Sequence, residues 1–235
     1  MASPRTMLAK AIANPRKIPP YLHRRLFRTD PIERPGVVTF EEGGFVSSPA
    51  DRPEFSSKLY REVADIRAIL SEHVRPSTIE RALEIGCGYG RLSPWLTEFS
   101  TRVVGVDVNA APLAKAQYLH PEVDFNAASV DALPFRDDSF GFALSWTVLM
   151  HVPPETIERA CAELSRCLAD GGYLLLAENS MRANDGPTVW GRTPETYASL
   201  LGMELVEIRG KPVERTYGTD EALRTTEQRL ALLSA

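Results

Sequence analysis

Ala82-Leu83-Glu84-Ile85-Gly86-Cys87-Gly88-Tyr89-Gly90-Arg91-Leu92 runs from apolar strand residues into an acid, and then into three glycines at alternate positions. Glycines in such a loop let the backbone take positive φ and approach a ligand closely. In an open α/β sheet, ligands sit outside the carboxyl ends of the strands, which is where this loop would fall. Its spacing differs from two common nucleotide loops. A dinucleotide fold needs G-x-G-x-x-G, but here the glycines stand at 86, 88 and 90 and position 91 is Arg. A P-loop needs a lysine after its glycines, but here Arg91-Leu92-Ser93 follows. Phosphate binding is therefore the weaker reading of the loop.

Outward from the loop, strand and helix patterns alternate. Arg81–Ile85 reads as a strand and Tyr89–Phe99 as a helix. Arg102–Asp107 is a strand, Ala110–Leu119 a helix, Val123–Asn126 a short strand and Phe142–Ser145 another. Pro154–Leu168 is the clearest helix, with Pro154 in its first turn and Ile157, Ala160, Cys161, Leu164 and Cys167 on one apolar face. Gly171-Gly172 ends it. Tyr173–Ala177 is then a continuous apolar run, as a strand covered on both faces should be. Thr193–Leu200 is a short helix, Met203–Ile208 and Val213–Tyr217 are strands, and Asp220–Leu233 is expected to be a last helix. Upstream, Leu59, Val63, Ile66, Ile69, Leu70 and Val74 recur at spacings of three and four, a helical stripe. The expected fold is a doubly wound, mostly parallel seven-stranded α/β sheet with helices on both faces, its last strand antiparallel.

The 235 residues are 43% hydrophobic and 25% charged, the balance of an ordinary globular chain. No stretch approaches the apolar length of a membrane-spanning helix. The net charge of −4 argues against a nucleic-acid partner, but the charge is uneven. Residues 1–30 hold seven Lys/Arg and one acid, leaving the remainder strongly acidic. Two units are expected: a basic, proline-rich extension at residues 1–53, and a ligand-binding domain at 54–235. Short helices are expected at Met7–Asn14 and Tyr21–Phe27, and a short strand at Val37–Phe40. The extension is read as a lid over the cleft, as an arm in weak contact with an anionic membrane surface, or as a solvated tail. Three cysteines, an odd number without zinc spacing, imply neither a disulfide framework nor a metal. The expected location is the cytoplasm.

The segment Leu83–Gly90 resembles the first motif of the class I, Rossmann-like S-adenosylmethionine-dependent methyltransferases almost letter for letter. The resemblance covers about Asp65–Ile208 and points to the small-molecule branch. It implies that Gly86, Cys87, Gly88 and Gly90 lie under the amino-acid part of the cofactor, with Glu84 holding the loop or the methionyl ammonium. Asp107, ending its strand, is implied at the ribose hydroxyls, with Val108 on the same edge. Read from the residues alone, a strand-end carboxylate suits a diol, the alternative is Asp107 or Asn109 as a cap for the following helix, and capping by Asn109 is compatible with both. In Ala128-Ser129-Val130-Asp131-Ala132-Leu133-Pro134-Phe135, the resemblance places Asp131 at the adenine amino group, with Val130 and Ala132 near the ring. Ser145 and Trp146, in the segment resembling the fourth motif, would face the methionyl side or the methyl-transfer site. The implied cofactor is S-adenosyl-L-methionine, leaving S-adenosyl-L-homocysteine as product, without a metal.

For catalysis, His151 follows the fourth strand and carries an imidazole able to take a proton near neutral pH. Glu178 ends the fifth strand on the same rim and could orient an acceptor. Asn179, Arg182, Trp190 and Arg192 are weaker candidates for acceptor contact, and Tyr60 for closing over the cofactor. The Asn/Asp-Pro-Pro-Tyr/Phe signature of nucleic-acid and protein amino methylation is missing, because Ser145-Trp146-Thr147-Val148 stands there. The expected activity is methyl transfer to an oxygen, nitrogen or carbon of a small molecule. The alternatives are a non-catalytic binding protein on the same scaffold and, further off, an NAD(P)-dependent oxidoreductase.

Overall fold

The structure, a computed structural model, describes residues 53–74, 79–179, 189–213 and 226–235. The expected elements at Met7–Asn14, Tyr21–Phe27 and Val37–Phe40, and Arg182, lie outside them. The helical stripe forms α1 (Pro53–His73), and the chain then alternates as anticipated. β1 (Arg81–Ile85) is followed by α2 (Ser93–Leu96), β2 (Arg102–Asp107), α3 (Ala110–Leu119), β3 (Asp124–Ala127) and β4 (Phe140–Trp146). A single 3₁₀ turn, Leu149–His151, leads into α4 (Pro154–Cys167), β5 (Leu168–Asn179), α5 (Pro194–Leu201), β6 (Glu204–Val213) and β7 (Thr226–Ser234). The seven strands order as β3-β2-β1-β4-β5-β7-β6. The first five are parallel, and β7 is antiparallel to both β5 and β6.

Each face of the sheet buries its own apolar cluster. On one, Leu83, Ile85, Val104, Val106, Ala143, Leu174 and Leu176 meet Ile157, Ala160, Cys161 and Leu164 of α4 and Tyr197 and Leu201 of α5. On the other, Ala82, Val103, Phe142, Leu144, Leu175 and Ala177 meet Val63, Ile66, Ile69 and Leu70 of α1, Leu96 of α2 and Leu92 just before it. Each Leu or Phe removed from water in this way contributes about 1.5–3 kcal/mol. The two layers hold the strands parallel, so their carboxyl ends open along one rim.

Three expectations need comment. The last element is a strand, not the helix expected over Asp220–Leu233. Leu230 and Leu232 enter one core cluster while Ala231 and Leu233 enter the other. A strand covered on both faces gives a continuous apolar run, and such a run carries no period that separates it from a buried helix. Among the described residues the pair of Met203–Ile208 is β7; of the strand expected over Val213–Tyr217 only Val213 is described, as the end of β6. The helix expected from Tyr89 starts only at Ser93, because Gly88 and Gly90 take φ of +56° and +76°, outside the right-handed helical region.

Candidate functional site

The glycine loop leaves β1 at the centre of the parallel sheet, between β2 and β4. Gly86 also has positive φ, at +62°. The three positions differ in what surrounds them. A methyl group on Gly86 would come within 2.2 Å of Val148 Cγ2, and one on Gly90 within 2.8 Å of the Phe125 ring. A methyl group on Gly88 would meet nothing within 4 Å. Gly86 and Gly90 are therefore glycines for packing, and Gly88 faces open space. The Cys87 thiol lies on the buried side, against Gly105, while its amide donates to the Val106 carbonyl at 3.0 Å. Only the backbone of Cys87 belongs to the rim.

Asp107 holds the loop from the next strand. One carboxylate oxygen accepts the Gly88 amide at 2.9 Å, and the other accepts the Asn109 amide at 2.8 Å. Burial raises its pKa above the usual carboxylate range, opposed by those amide donors. The capping reading is not met, since Asn109 precedes α3 without a side-chain cap hydrogen bond and Asp107 holds the Asn109 amide instead. Each carboxylate oxygen has more than one acceptor position, so a diol can still be bound. Val108 is half-buried beside it. Glu84, beneath the loop, is buried and accepts the Ser93 hydroxyl; burial pushes its pKa up to about 7.

At the end of β3, Val130 and Asp131 are buried and Ala132 is exposed. The Asp131 carboxylate accepts from the Ser129 hydroxyl and from the Arg159 guanidinium of α4. At the end of β4, Ser145 is fully buried and donates to Glu178 at 2.5 Å. The Trp146 ring turns toward α1, where its indole N–H donates to Glu62 at 3.1 Å. The other oxygen of Glu62 accepts from Arg91, so one buried carboxylate ties the end of the glycine loop to the end of β4.

Past Trp146 the chain makes a strained turn. Thr147 has φ +58°, unusual for a β-branched residue, and its amide donates to the Ala177 carbonyl at 2.9 Å. Glu178 is only 3% exposed. Besides Ser145, its carboxylate accepts the amides of Val148, Leu149 and Met150 at 3.1, 3.2 and 3.1 Å. Burial pushes its pKa up to about 7 against those donors. The reading of Glu178 as a group facing an acceptor thus meets a carboxylate turned inward. His151 closes the 3₁₀ turn and is half-buried. The Arg192 guanidinium donates to the carbonyls of Leu149 and Val152 at 3.1 and 2.8 Å, and the Trp190 amide to that of Met150 at 2.8 Å, so this pair packs onto the same turn. Tyr60 is 65% exposed.

Sequence reasoning missed Glu62, Val148 and Arg159. Glu62 adjoins an apolar stripe position with no motif around it, and Arg159 reads as one charge on a solvated helix face. Both acquire their roles only from partners distant in sequence.

Residues 83–176 match the family described as a methyltransferase domain. The chain has the fold of the class I, Rossmann-like methyltransferases. Among curated relatives, the ubiquinone biosynthesis O-methyltransferase of Nitrosococcus oceani is 30% identical over 156 residues, which are 62% of this chain and 60% of that protein. The chain spans about half the length of the curated relatives it matches. Among solved structures, the N-methyltransferase NodS of Bradyrhizobium japonicum, in complex with S-adenosyl-L-homocysteine, has a TM-score of 0.61 at 19% identity, covering 79% of this chain and 89% of NodS. The [4+2]-cyclase SpnF has a TM-score of 0.60 at 18% identity, covering 86% and 87%. At these identities the likeness to the solved structures is one of fold. Within the methyltransferase fold, Gly88 opening onto free space and Asp107 at the neighbouring strand end fit an adenosyl amino acid. A pyrophosphate would instead call for a helix N-terminus directly at the loop, and α2 begins only at Ser93.

Proposed function

We propose that this protein transfers the methyl group of S-adenosyl-L-methionine to a small-molecule acceptor. The observation that carries this is the pairing of Gly88, the one loop glycine facing open space, with the Asp107 carboxylate that accepts its amide. When bound, S-adenosyl-L-methionine supplies an activated methyl group open to in-line attack by an acceptor lone pair.

The protein's part is alignment. Asp107 binds the ribose diol, with Val108 along the same edge. Val130 and Ala132 flank the base, and Asp131 accepts from its amino group while remaining fixed by Ser129 and Arg159. The backbone of Gly86, Cys87, Gly88 and Gly90 supports the amino-acid end, and Glu84 stabilises the loop from below. Ser145 and Trp146 act by shaping the β4 end, since their polar atoms are engaged by Glu178 and Glu62. His151 is the proton acceptor at the acceptor side where the substrate must lose a proton. For residues 1–53 we propose the role of a lid or arm, read from their sequence alone, and their basic charge is suited to weak contact with an anionic membrane surface. Among the described residues no helix is long and apolar enough to cross a membrane. Cys87, Cys161 and Cys167 are free and buried, which is in keeping with a reducing compartment, and we place the protein in the cytoplasm.

Isothermal titration with S-adenosyl-L-homocysteine tests this reading. Binding in the micromolar range that is lost in Asp107→Ala supports it. Binding of NAD in place of the methyl-cofactor product would replace it with the oxidoreductase reading. Cofactor binding without turnover on any small-molecule fraction would leave the non-catalytic scaffold.

A further inference from the structure

Four donors from one short stretch, Ser145 to Met150, converge on a single buried carboxylate that arrives from the neighbouring strand. Three of them are consecutive backbone amides at the start of the 3₁₀ turn. Such amides have no partner within their own turn, and an anion set against them satisfies them together. Immediately before them, Thr147 sits in a left-handed conformation that a β-branched residue adopts only when its surroundings impose it. Immediately after them comes His151. Between the two, Val148 projects against Gly86 so closely that no side chain fits at that glycine.

We propose that Glu178 is a positioning residue: its carboxylate fixes the 147–151 turn, so that Val148 seats the glycine loop and His151 is held at the rim. One inward-facing group thereby couples the acceptor side of the cleft to the cofactor cradle. The inference rests on the methyl-transfer reading for the meaning of those two sides, though not for the anchoring itself. It replaces direct acceptor contact by Glu178 with action through the turn. Glutamine at this position keeps the shape but brings an NH₂ group toward amide donors, so at least one N–H loses its acceptor. Alanine at Ser145 leaves the carboxylate in place and removes only the hydroxyl that orients it.

Native-state amide hydrogen exchange on the full chain, with titration of S-adenosyl-L-homocysteine, separates the outcomes. In Glu178→Gln, the amides of Val148, Leu149 and Met150 are expected to exchange at least tenfold faster than in wild type. The amides of Leu174–Leu176, in the middle of β5, are expected to change less than twofold, and the affinity for S-adenosyl-L-homocysteine to fall about tenfold. If Glu178→Gln does not fold, Ser145→Ala carries the test, with a threefold or greater acceleration confined to the same amides and a parallel loss of affinity. Unchanged exchange at 148–150 overturns the proposal. So does acceleration spread evenly over β5, which would mean a merely structural carboxylate, and so does local acceleration without any change in affinity. A wild type that binds no S-adenosyl-L-homocysteine refutes the methyl-transfer reading and the coupling with it, while the exchange data still decide the anchoring on their own.

Discussion

The Trp146 indole N–H and the Glu62 carboxylate meet at 3.1 Å across 84 residues of sequence, and this contact fixes α1 over the end of β4. The second oxygen of Glu62 engages Arg91, so the helix preceding the first strand is latched to the end of the glycine loop as well as to the end of β4.

Removing the latch carboxylate should cost more than removing one of its donors. Glu62→Ala leaves the Arg91 guanidinium without its carboxylate partner, and is expected to lower stability by about 2–4 kcal/mol. Trp146→Phe keeps the Arg91–Glu62 pair and most of the ring, and is expected to cost about 1–2 kcal/mol. Urea unfolding of both variants checks the ranking, and equal losses would show that Glu62 acts through Trp146 alone.

Gly86 and Gly88 share positive φ but not surroundings, so the same substitution should fail differently at each. Gly88→Ala meets no protein atom and is expected to fold with a loss of roughly 1–2 kcal/mol from backbone strain, while binding of S-adenosyl-L-homocysteine drops by a hundredfold or more. Gly86→Ala adds a clash with Val148 to the same strain, and is expected to destabilise by roughly 3 kcal/mol or more. Thermal melts beside calorimetry distinguish the two. A Gly88→Ala protein that binds normally would show that the open space is not the cofactor cradle.

Much of this was legible in the sequence because the signals are local. Three alternate glycines after an apolar run mark the end of β1. Arg102–Asp107 and Ala110–Leu119 are a strand and a helix with the residue limits their patterns predict. What was hidden is non-local. Leu230–Leu233 has no period, and only its place between β5 and β6 makes it a strand. Glu178 looks like a rim acid in one dimension, since its four partners lie about thirty residues upstream. Arg91 reads as the residue that spoils a dinucleotide motif, and its positive role waits on Glu62.

Glu84 and Glu178 both have folded-state pKa values raised to about 7 by burial. Between about pH 4.5 and 7 the native state therefore holds protons that the unfolded chain has released, and stability falls as pH rises through that window. The expected loss is at most about 3 kcal/mol per group, since each pKa unit corresponds to about 1.4 kcal/mol. Glu84→Gln removes that group's share, so its stability curve from pH 4.5 to 7 should be flatter than that of wild type. A variant curve parallel to wild type in chemical denaturation would place the Glu84 carboxyl back in the ordinary range.

Asp107→Ala should weaken cofactor and fold together, because the same carboxylate serves both. Losing the acceptor for the Gly88 and Asn109 amides is expected to cost about 1–3 kcal/mol in unfolding experiments. Asp107→Asn keeps one acceptor oxygen, and should retain more stability than it retains affinity for S-adenosyl-L-homocysteine. Affinity unchanged in both variants would remove Asp107 from the ribose site.

A crystal structure with S-adenosyl-L-homocysteine bound tests the central claim most directly. The account predicts the amino-acid end resting over Gly86–Gly90, with the space beside Gly88 filled, and the ribose hydroxyls within hydrogen-bond distance of Asp107. Density for the ligand elsewhere, or Asp107 turned away from the sugar, would contradict it.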